Sequence, residues 1–332
     1  MIDIYFDKNY GKLYAKTEHG EAVVREFECA AGRVLHQFIL RKIESPLKED
    51  YYDIVTPYGY GGPVITQLND GYGKEDLVRA FEEDFSEYAA EKGIVSEFVR
   101  FHPIVKNADD FGEMYSAECI RHTLATDLSV DDPIAEEFSK SCRKNIRRAL
   151  NKGVSYRVTR APESIDAFKE IYYSTMDRNH AGEYYYFDDE YFSDCLKYYR
   201  ENTVFVEAVF EEKTIAAGFY FIYGDVIHIH LSGTLSEYLY LSPAYILRYA
   251  IAEWGKENGF KLIHHGGGRS NSPEDSLFLF KKQFAEKTEL DFSVGKKIWN
   301  REAYRALCAA LGSDENSEFF PAYRKPVMKN EE

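Results

Sequence analysis

Apolar residues recur at helical spacing in some stretches of this chain and at strand spacing in others. Leu77, Phe81, Phe85 and Tyr88 share one stripe of KEDLVRAFEEDFSEYAAEK, Gly93 offers a left-handed stop, and IVSEFVRFHP reads as the following strand. The same order returns later. Ser242 caps and Pro243 opens PAYILRYAIAEWGKEN, Gly259 ends it, and KLIHH is the strand. Ahead of the first copy, AVVREFECAAGRVLHQFILRKI carries β-branched and aromatic runs broken by Gly32, a hairpin signal. YYDIVTPYGYGGPVI then interleaves Pro57, Gly59, Gly61, Gly62 and Pro63 with tyrosines, which marks an ordered loop beside a sheet with Tyr60 in it. Between the copies the pattern predicts helices over 136–152, 164–176 and 188–200. A meander of VFVEAVF, IAAGFYFI and VIHIHLSGT follows. After the second copy come a short helix from Asp275, further sheet in LDFSVG and KKIW, and a helix over 301–311. A meander followed by a βα crossover gives an α+β (mixed α/β) class. The repeated layout divides the chain into domains 1–135 and 136–332.

One stretch combines unusual features, HHGGGRSNSPEDSLFLFKKQFA from His264 to Ala285. Three successive glycines let the backbone bend and approach a ligand closely. Asp275 stands where a helix cap belongs, and Leu277, Phe280 and Phe284 form the apolar stripe behind it. Lys281 falls within that stripe, whereas Lys282 points away. A lysine so placed must snorkel, pair, or meet a ligand, because burying a lone ammonium is costly.

Charge sharpens the picture. The 332 residues carry a net charge of −15, which excludes a protein that coats nucleic acid non-specifically. Yet from Ser139 to Arg160 there are eight basic residues, Arg143 and Arg147 among them, and no acid. That segment reads either as a solvated helix face or as an anion site for phosphate or nucleic acid. MDRNHAGEYYYF sets Arg178 and His180 in a loop with three tyrosines, including Tyr185. His228 and His230 share a strand face, and one of His264 and His265 can join them. No carboxylate completes a ligand set, so no metal site is assigned. Five scattered cysteines without CxxC spacing, and an N-terminus MIDIYFDKNYG lacking a basic and an apolar signal region, lead to the expectation of a cytoplasmic protein with no transmembrane segment.

SKSCRKNIRRALNKGV, TMDRNHAGEYYYF, HLSGTLSEYLYLSPAYILRYAIAEWGKENG and GGG…DSLFLFKKQF together resemble the Fem family, tRNA-dependent peptidyltransferases built from two GNAT-like acyltransferase domains. The resemblance implies tandem GNAT-like domains, the second carrying the active site. It also implies transfer of an aminoacyl group from aminoacyl-tRNA to an amine of a peptidoglycan precursor, lipid II-like, with no cofactor beyond the tRNA co-substrate. Contact with a membrane would come only through a lipid-linked acceptor. Lys281 matches the family's Phe-Lys lysine and becomes the catalytic donor to the oxyanion, with Phe280 beside it on the acyl-tRNA terminus. Arg178 matches an arginine that holds the precursor's phosphates. His230 stands where relatives carry a strand tyrosine and is assigned as the acceptor of the attacking amine's proton. Tyr60, Tyr185, Ser232 and Gly267 complete the expected substrate contacts, with Arg143 and Arg147 on phosphate. The sequence departs from the family in having no heptad run for a coiled-coil arm and no basic residue in the YGYGG loop. Two other readings stand beside this one. An acyl-CoA-dependent GNAT N-acyltransferase would act on an amino sugar or peptide, although TLSEYLYLSPAY lacks the glycines of a pyrophosphate turn. A non-catalytic module would bind tRNA or glycan without turnover.

Overall fold

The computed structural model describes residues 2–325, which divide into two compact units. The first runs to Ile120 and resumes at Phe292; the second is Arg121–Asp291. The expected break after residue 135, with the C-terminal segment in the second domain, is therefore corrected at both ends.

In the first unit, β1 (Glu21–Cys29), β2 (Gly32–Ile43) and β3 (Tyr51–Val55) form an antiparallel meander, with β4 (Val64–Leu68) also on β2. The chain then passes through α2 (Lys74–Lys92) to β5 (Ile94–Arg100), which lies parallel to β3. The short α1 (Tyr10–Ala15) and α3 (Ala108–Phe111) complete this half. Helix α2 forms where its pattern predicts. Leu77, Phe81, Phe85 and Ala89 are buried, Asp76 accepts from the Gly73 N–H at its start, and Gly93 ends it at φ 66°. Its aromatic stripe packs on Phe38, Val99, Phe111 and Tyr115.

The strand beside β5 comes from the C-terminal segment, β12 (Glu289–Ile298), antiparallel through Val294–Arg100 to Ile298–Ser96. Helix α10 (Arg301–Ala310) buries Ala303, Tyr304, Leu307 and Cys308 against Val95 and Tyr323. Glu97 shows why this segment belongs here. Its buried carboxylate accepts from Tyr115 Oη at 3.1 Å and Trp299 Nε1 at 3.1 Å, and lies 2.8 Å from His36 Nε2. A buried carboxylate is tolerated only when so partnered, and one of those partners lies on the returning chain.

The second unit repeats the layout. Its strands run in the order β6 (Glu118–Asp127, from Arg121 onward in this unit), β11 (Leu262–Gly266), β10 (Val226–Thr234), β9 (Lys213–Tyr223), β8 (Thr203–Phe210) and β7 (Ser155–Arg160). Every neighbouring pair is antiparallel except β10 with β11, which α8 (Pro243–Glu257) connects as a parallel crossover. Helices α6 (Asp166–Arg178) and α8 cover opposite faces, because alternate residues of β9 point oppositely. Phe219 meets Phe168 of α6, and Tyr220 meets Arg248 of α8. Helix α7 (Asp189–Tyr199) lies on the α6 side, where Phe192 contacts Phe168.

The single helix expected over 136–152 is two: α4 (Pro133–Glu137) and α5 (Lys140–Asn151). Phe138 turns extended between them, and the Ser139 hydroxyl caps α5 by accepting from Cys142 N. At α8, Ser242 precedes Pro243 but takes a left-handed conformation, φ 55°, and makes no side-chain cap.

Glu97→Ala leaves three polar groups, two of them fully buried, without their carboxylate and lowers stability by about 3–5 kcal/mol, as for other broken buried pairs. Trp299→Phe removes one donor and costs about 1 kcal/mol. Urea unfolding measures both. A loss under 1 kcal/mol for Glu97→Ala would sink the assignment of Trp299's segment to this core.

Candidate active site

The second unit's one parallel pair does not stay together. β10 and β11 pair only at Val226–Leu262, Ile227–Ile263 and His228–His264. Beyond that point β10 shifts register against β9 between Ile229 and Leu231, and β11 shifts against β6 between His264 and Gly266. Gly266 makes its bend at φ 73°, a conformation that costs a residue with a side chain free energy. His230 and Ser232 lie past the last pair on β10, Gly266 past it on β11, and Gly267 and Gly268 just beyond that strand.

The glycine run is held from behind by α9 (Ser276–Lys282). Asp275 caps it, accepting from Phe278 N at 2.9 Å, and also accepts from the N–H groups of Arg269 and Ser270 and from the Ser270 hydroxyl. Desolvation pushes this carboxyl up, but the hydrogen bonds from Phe278, Ser270 and Arg269 outweigh it and bring its pKa down to about 2. A Cβ on Gly268 would stand 2.7 Å from that carboxylate, so the third glycine is required by close approach.

Lys281 donates from Nζ to the Gly267 carbonyl at 2.6 Å. Arg121 Nη1 donates to the next carbonyl, Gly268, at 3.3 Å. Desolvation, reinforced by the charges of Arg248 and Arg121 and only partly offset by Asp275, lowers the Lys281 pKa to about 7. The residue as a whole is half-buried. Beneath it, His265 is buried, and burial together with Arg248 and Lys281 holds its imidazole neutral. Thr126 Oγ1 donates to Phe284 O at 2.6 Å, so the same oxygen accepts from His265 Nε2 at 2.8 Å. Phe280 packs edge-on against Tyr245 and Phe284.

His230 belongs to the other face. Its ring lies against Phe219 and Phe221 and shares a 2.5 Å hydrogen bond with Tyr191 Oη of α7. Desolvation, and then His228, lowers its pKa to about 3. As the pleat requires, His264 joins His228, their rings 5.6 Å apart, while His265 faces α8. The two catalytic candidates, Lys281 and His230, therefore flank the parting from different faces and do not touch.

Other expected contacts fall elsewhere. Arg178 ends α6 rather than sitting in a loop. Four of its N–H groups go to Thr234 O, Ser236 Oγ, Thr234 Oγ1 and Thr175 Oγ1, tying α6 to the end of β10 and leaving Nε–H for any phosphate. Arg143, half-buried, donates to the carbonyls of Ile134, Ala135 and Phe138, so it caps α4. Arg147 is exposed, as are Lys140, Lys144, Arg148 and Lys152, because Cys142, Ile146 and Ala149 turn the opposite side of α5 into the core. Tyr60 is buried in the first unit among Tyr5, His102 and Phe292. Tyr185 is exposed, and Ser232 is half-buried on β10. Sequence reasoning passed over Arg248, Arg121, Thr126 and Tyr191. The arginine on the apolar face of α8 was the one legible signal among them.

A parted parallel pair behind an antiparallel meander is the architecture of the GNAT acyltransferase fold. Residues 137–273 match the family model described as an acetyltransferase (GNAT) domain. The crystal structure of FemX covers 90% of this chain and 94% of its own at a TM-score of 0.67 and 14% identity. The structure of L-PGS from Bacillus licheniformis covers 87% of this chain and 92% of its own at a TM-score of 0.52 and 16% identity. Among curated proteins, the UDP-N-acetylmuramoylpentapeptide-lysine N(6)-alanyltransferase of Weissella viridescens is 25% identical over 174 residues. That match spans 51% of this chain and about half, 50%, of the relative. The chain has the GNAT fold and is similar to Fem-type proteins.

Lys281 gives a pH signature of its own. Its folded pKa of about 7 lies below the unfolded value of about 10.4, so its burial costs nothing at high pH. The penalty grows as pH falls from about 10 to about 7 and is constant below. The stability difference between Lys281→Met and the parent accordingly moves in the variant's favour across that window. A difference independent of pH, measured by urea unfolding, would place the ammonium in solvent.

Proposed function

We propose that this protein is an acyltransferase that moves an aminoacyl group from aminoacyl-tRNA to an amine of a peptidoglycan precursor. It works in the cytoplasm without a bound cofactor. The observation that carries this reading is Lys281, a lysine of lowered pKa hydrogen-bonded to Gly267 where β10 and β11 part, within a Fem-like fold. The acceptor nitrogen attacks the ester carbonyl, the bond from carbonyl carbon to ribose oxygen breaks, and the amine's proton ends on the ribose hydroxyl. A lysine with a pKa of about 7 is present in both protonation states near neutrality. In its charged form it donates to the developing oxyanion; in its neutral form it accepts the amine's proton. His230, at about 3, is too weak a base for the role first given to it, and with Tyr191 it serves as a fixed polar wall.

Two observations support a donor ester on RNA over acyl-CoA. The N–H groups of Arg269 and Ser270 are already engaged by Asp275. The segment ahead of α8, where a pyrophosphate turn would sit, is a 3-10 helix over Ser236–Leu241. The exposed basic side of α5 then tracks the tRNA backbone. A lipid-linked acceptor brings the protein to a membrane surface, and among the described residues no helix is long and apolar enough to cross one.

The deciding assay offers the purified protein charged tRNAs, then acyl-CoAs, each with lipid II-type and amino-sugar acceptors, and reads the acceptor's mass. Transfer from acyl-CoA alone would replace this reading with the N-acetyltransferase one; tight tRNA binding without transfer would favour a binding module. Lys281→Ala lowers turnover by a factor on the order of hundreds. Lys282, ion-paired with Glu289, is nearly silent as alanine. Equal small effects of the two would leave Lys281 no catalytic part. Charge reversal at Lys144 and Arg147 weakens tRNA binding and flattens the slope of log K against log[salt] by roughly one to two units. An unchanged slope means that α5 is merely solvated.

A further inference from the structure

Arg248 is a buried charge of the second unit that no ion pair among the described residues compensates. It lies on α8 among Leu247, Ala250, Ile251 and Ala252, all buried, and is itself only 5% exposed. Among the described residues its hydrogen bond runs from Nη1 to the neutral Tyr220 hydroxyl at 2.9 Å, the guanidinium carbon stands 5.6 Å from the centroid of the same ring, and Nε–H has no partner. Close by, the bond to Thr126 fixes His265 with its proton on Nε2, which leaves Nδ1 as a buried acceptor, again without a partner. Arg248 acts on both His265 and Lys281, lowering the proton affinity of each. The carboxylate that acts on Lys281 is Asp275, and four hydrogen bonds already hold it to its own loop. A buried guanidinium facing a neutral phenol is a destabilising arrangement for a core and a favourable one for an anion site.

We propose that Arg248 is the floor of an anion subsite at the parting of β10 and β11, which takes a phosphate group, with Lys281 at its rim and His265 Nδ1 accepting from a hydroxyl of the ligand. The site stands on these residues alone. Assigning the phosphate to a substrate rests on the aminoacyl-transfer reading, where it comes from the RNA end of the donor or from the diphosphate of the acceptor.

The test is thermal unfolding of the full chain in rising millimolar inorganic phosphate. The parent's Tm should rise saturably, by on the order of 5 °C. Sulfate, which carries no hydroxyl near neutral pH, should do less. Arg248→Met should lose the saturable response yet match or exceed the parent's stability in phosphate-free buffer, since it replaces a buried charge that has no ion pair among the described residues by an apolar chain of similar length. Arg248→Lys should retain a weaker response. Competition against phosphate by a CCA trinucleotide or by a UDP-sugar then tells the two sources apart. Parallel responses of parent and Met variant would overturn the site, as would a Met variant that is less stable while the parent ignores phosphate. Equal responses to phosphate and sulfate would remove the part given to His265. Phosphate binding that depends on Arg248 in a protein with no aminoacyl transfer would leave the site standing and the transferase reading rejected.

Discussion

Everything at the candidate site depends on the separation of one pair of parallel strands. A continuous β10–β11 ladder would close the sheet and satisfy its backbone groups internally. Instead the ladder stops after His228–His264, with a register shift on each strand and a left-handed glycine at the end of β11. The divergence exposes backbone that a sheet would otherwise pair, and α9 returns to cover part of it. Lys281 takes the Gly267 carbonyl and Asp275 takes the amides that follow. The catalytic candidate is thus also part of the repair of the opened sheet.

The electrostatics follow from the same geometry. Arg121 and Lys281 both donate to the glycine turn and Arg248 adds its charge to theirs, while the acid that acts on Lys281, Asp275, is already occupied by its own loop. With positive charge gathered beside partly desolvated backbone, the most labile proton is the one on Lys281, since a guanidinium holds its proton far more tightly. Lowering that pKa to about 7 gives the residue the equal access to both protonation states that proton transfer near neutrality requires. On the opposite face, burial keeps His230 neutral beside Tyr191.

The repeated layout explains where the chain divides. In each unit an antiparallel meander leads through a helix to a parallel strand, β5 or β11, which still has one open edge. In the first unit β12, from the end of the chain, fills that edge; in the second, β6 does. An open edge is satisfied by whichever strand reaches it, and sequence order does not decide which.

The sequence by itself determined most of the longer elements and their order. The stripe of α2, the Gly93 stop, the Pro243 start of α8 and the Asp275 cap depend on local spacing and capping, which act within a few residues. It also singled out Lys281, because a cation inside an apolar stripe is visible at helical period. Tertiary structure decided what those elements meet. Arg143 and Arg147 are alike in sequence, yet one caps α4 and the other faces solvent, because the break at Phe138 turns the carbonyls of α4 toward the first. Tyr60 entered a core of aromatic rings that comes from distant parts of the chain. The place of β12 beside β5, the separation of Lys281 from His230 by the sheet's pleat, and the burial of Arg248 against Tyr220 all come from contacts between residues far apart in the chain, which no local pattern of hydrophobic and polar positions encodes.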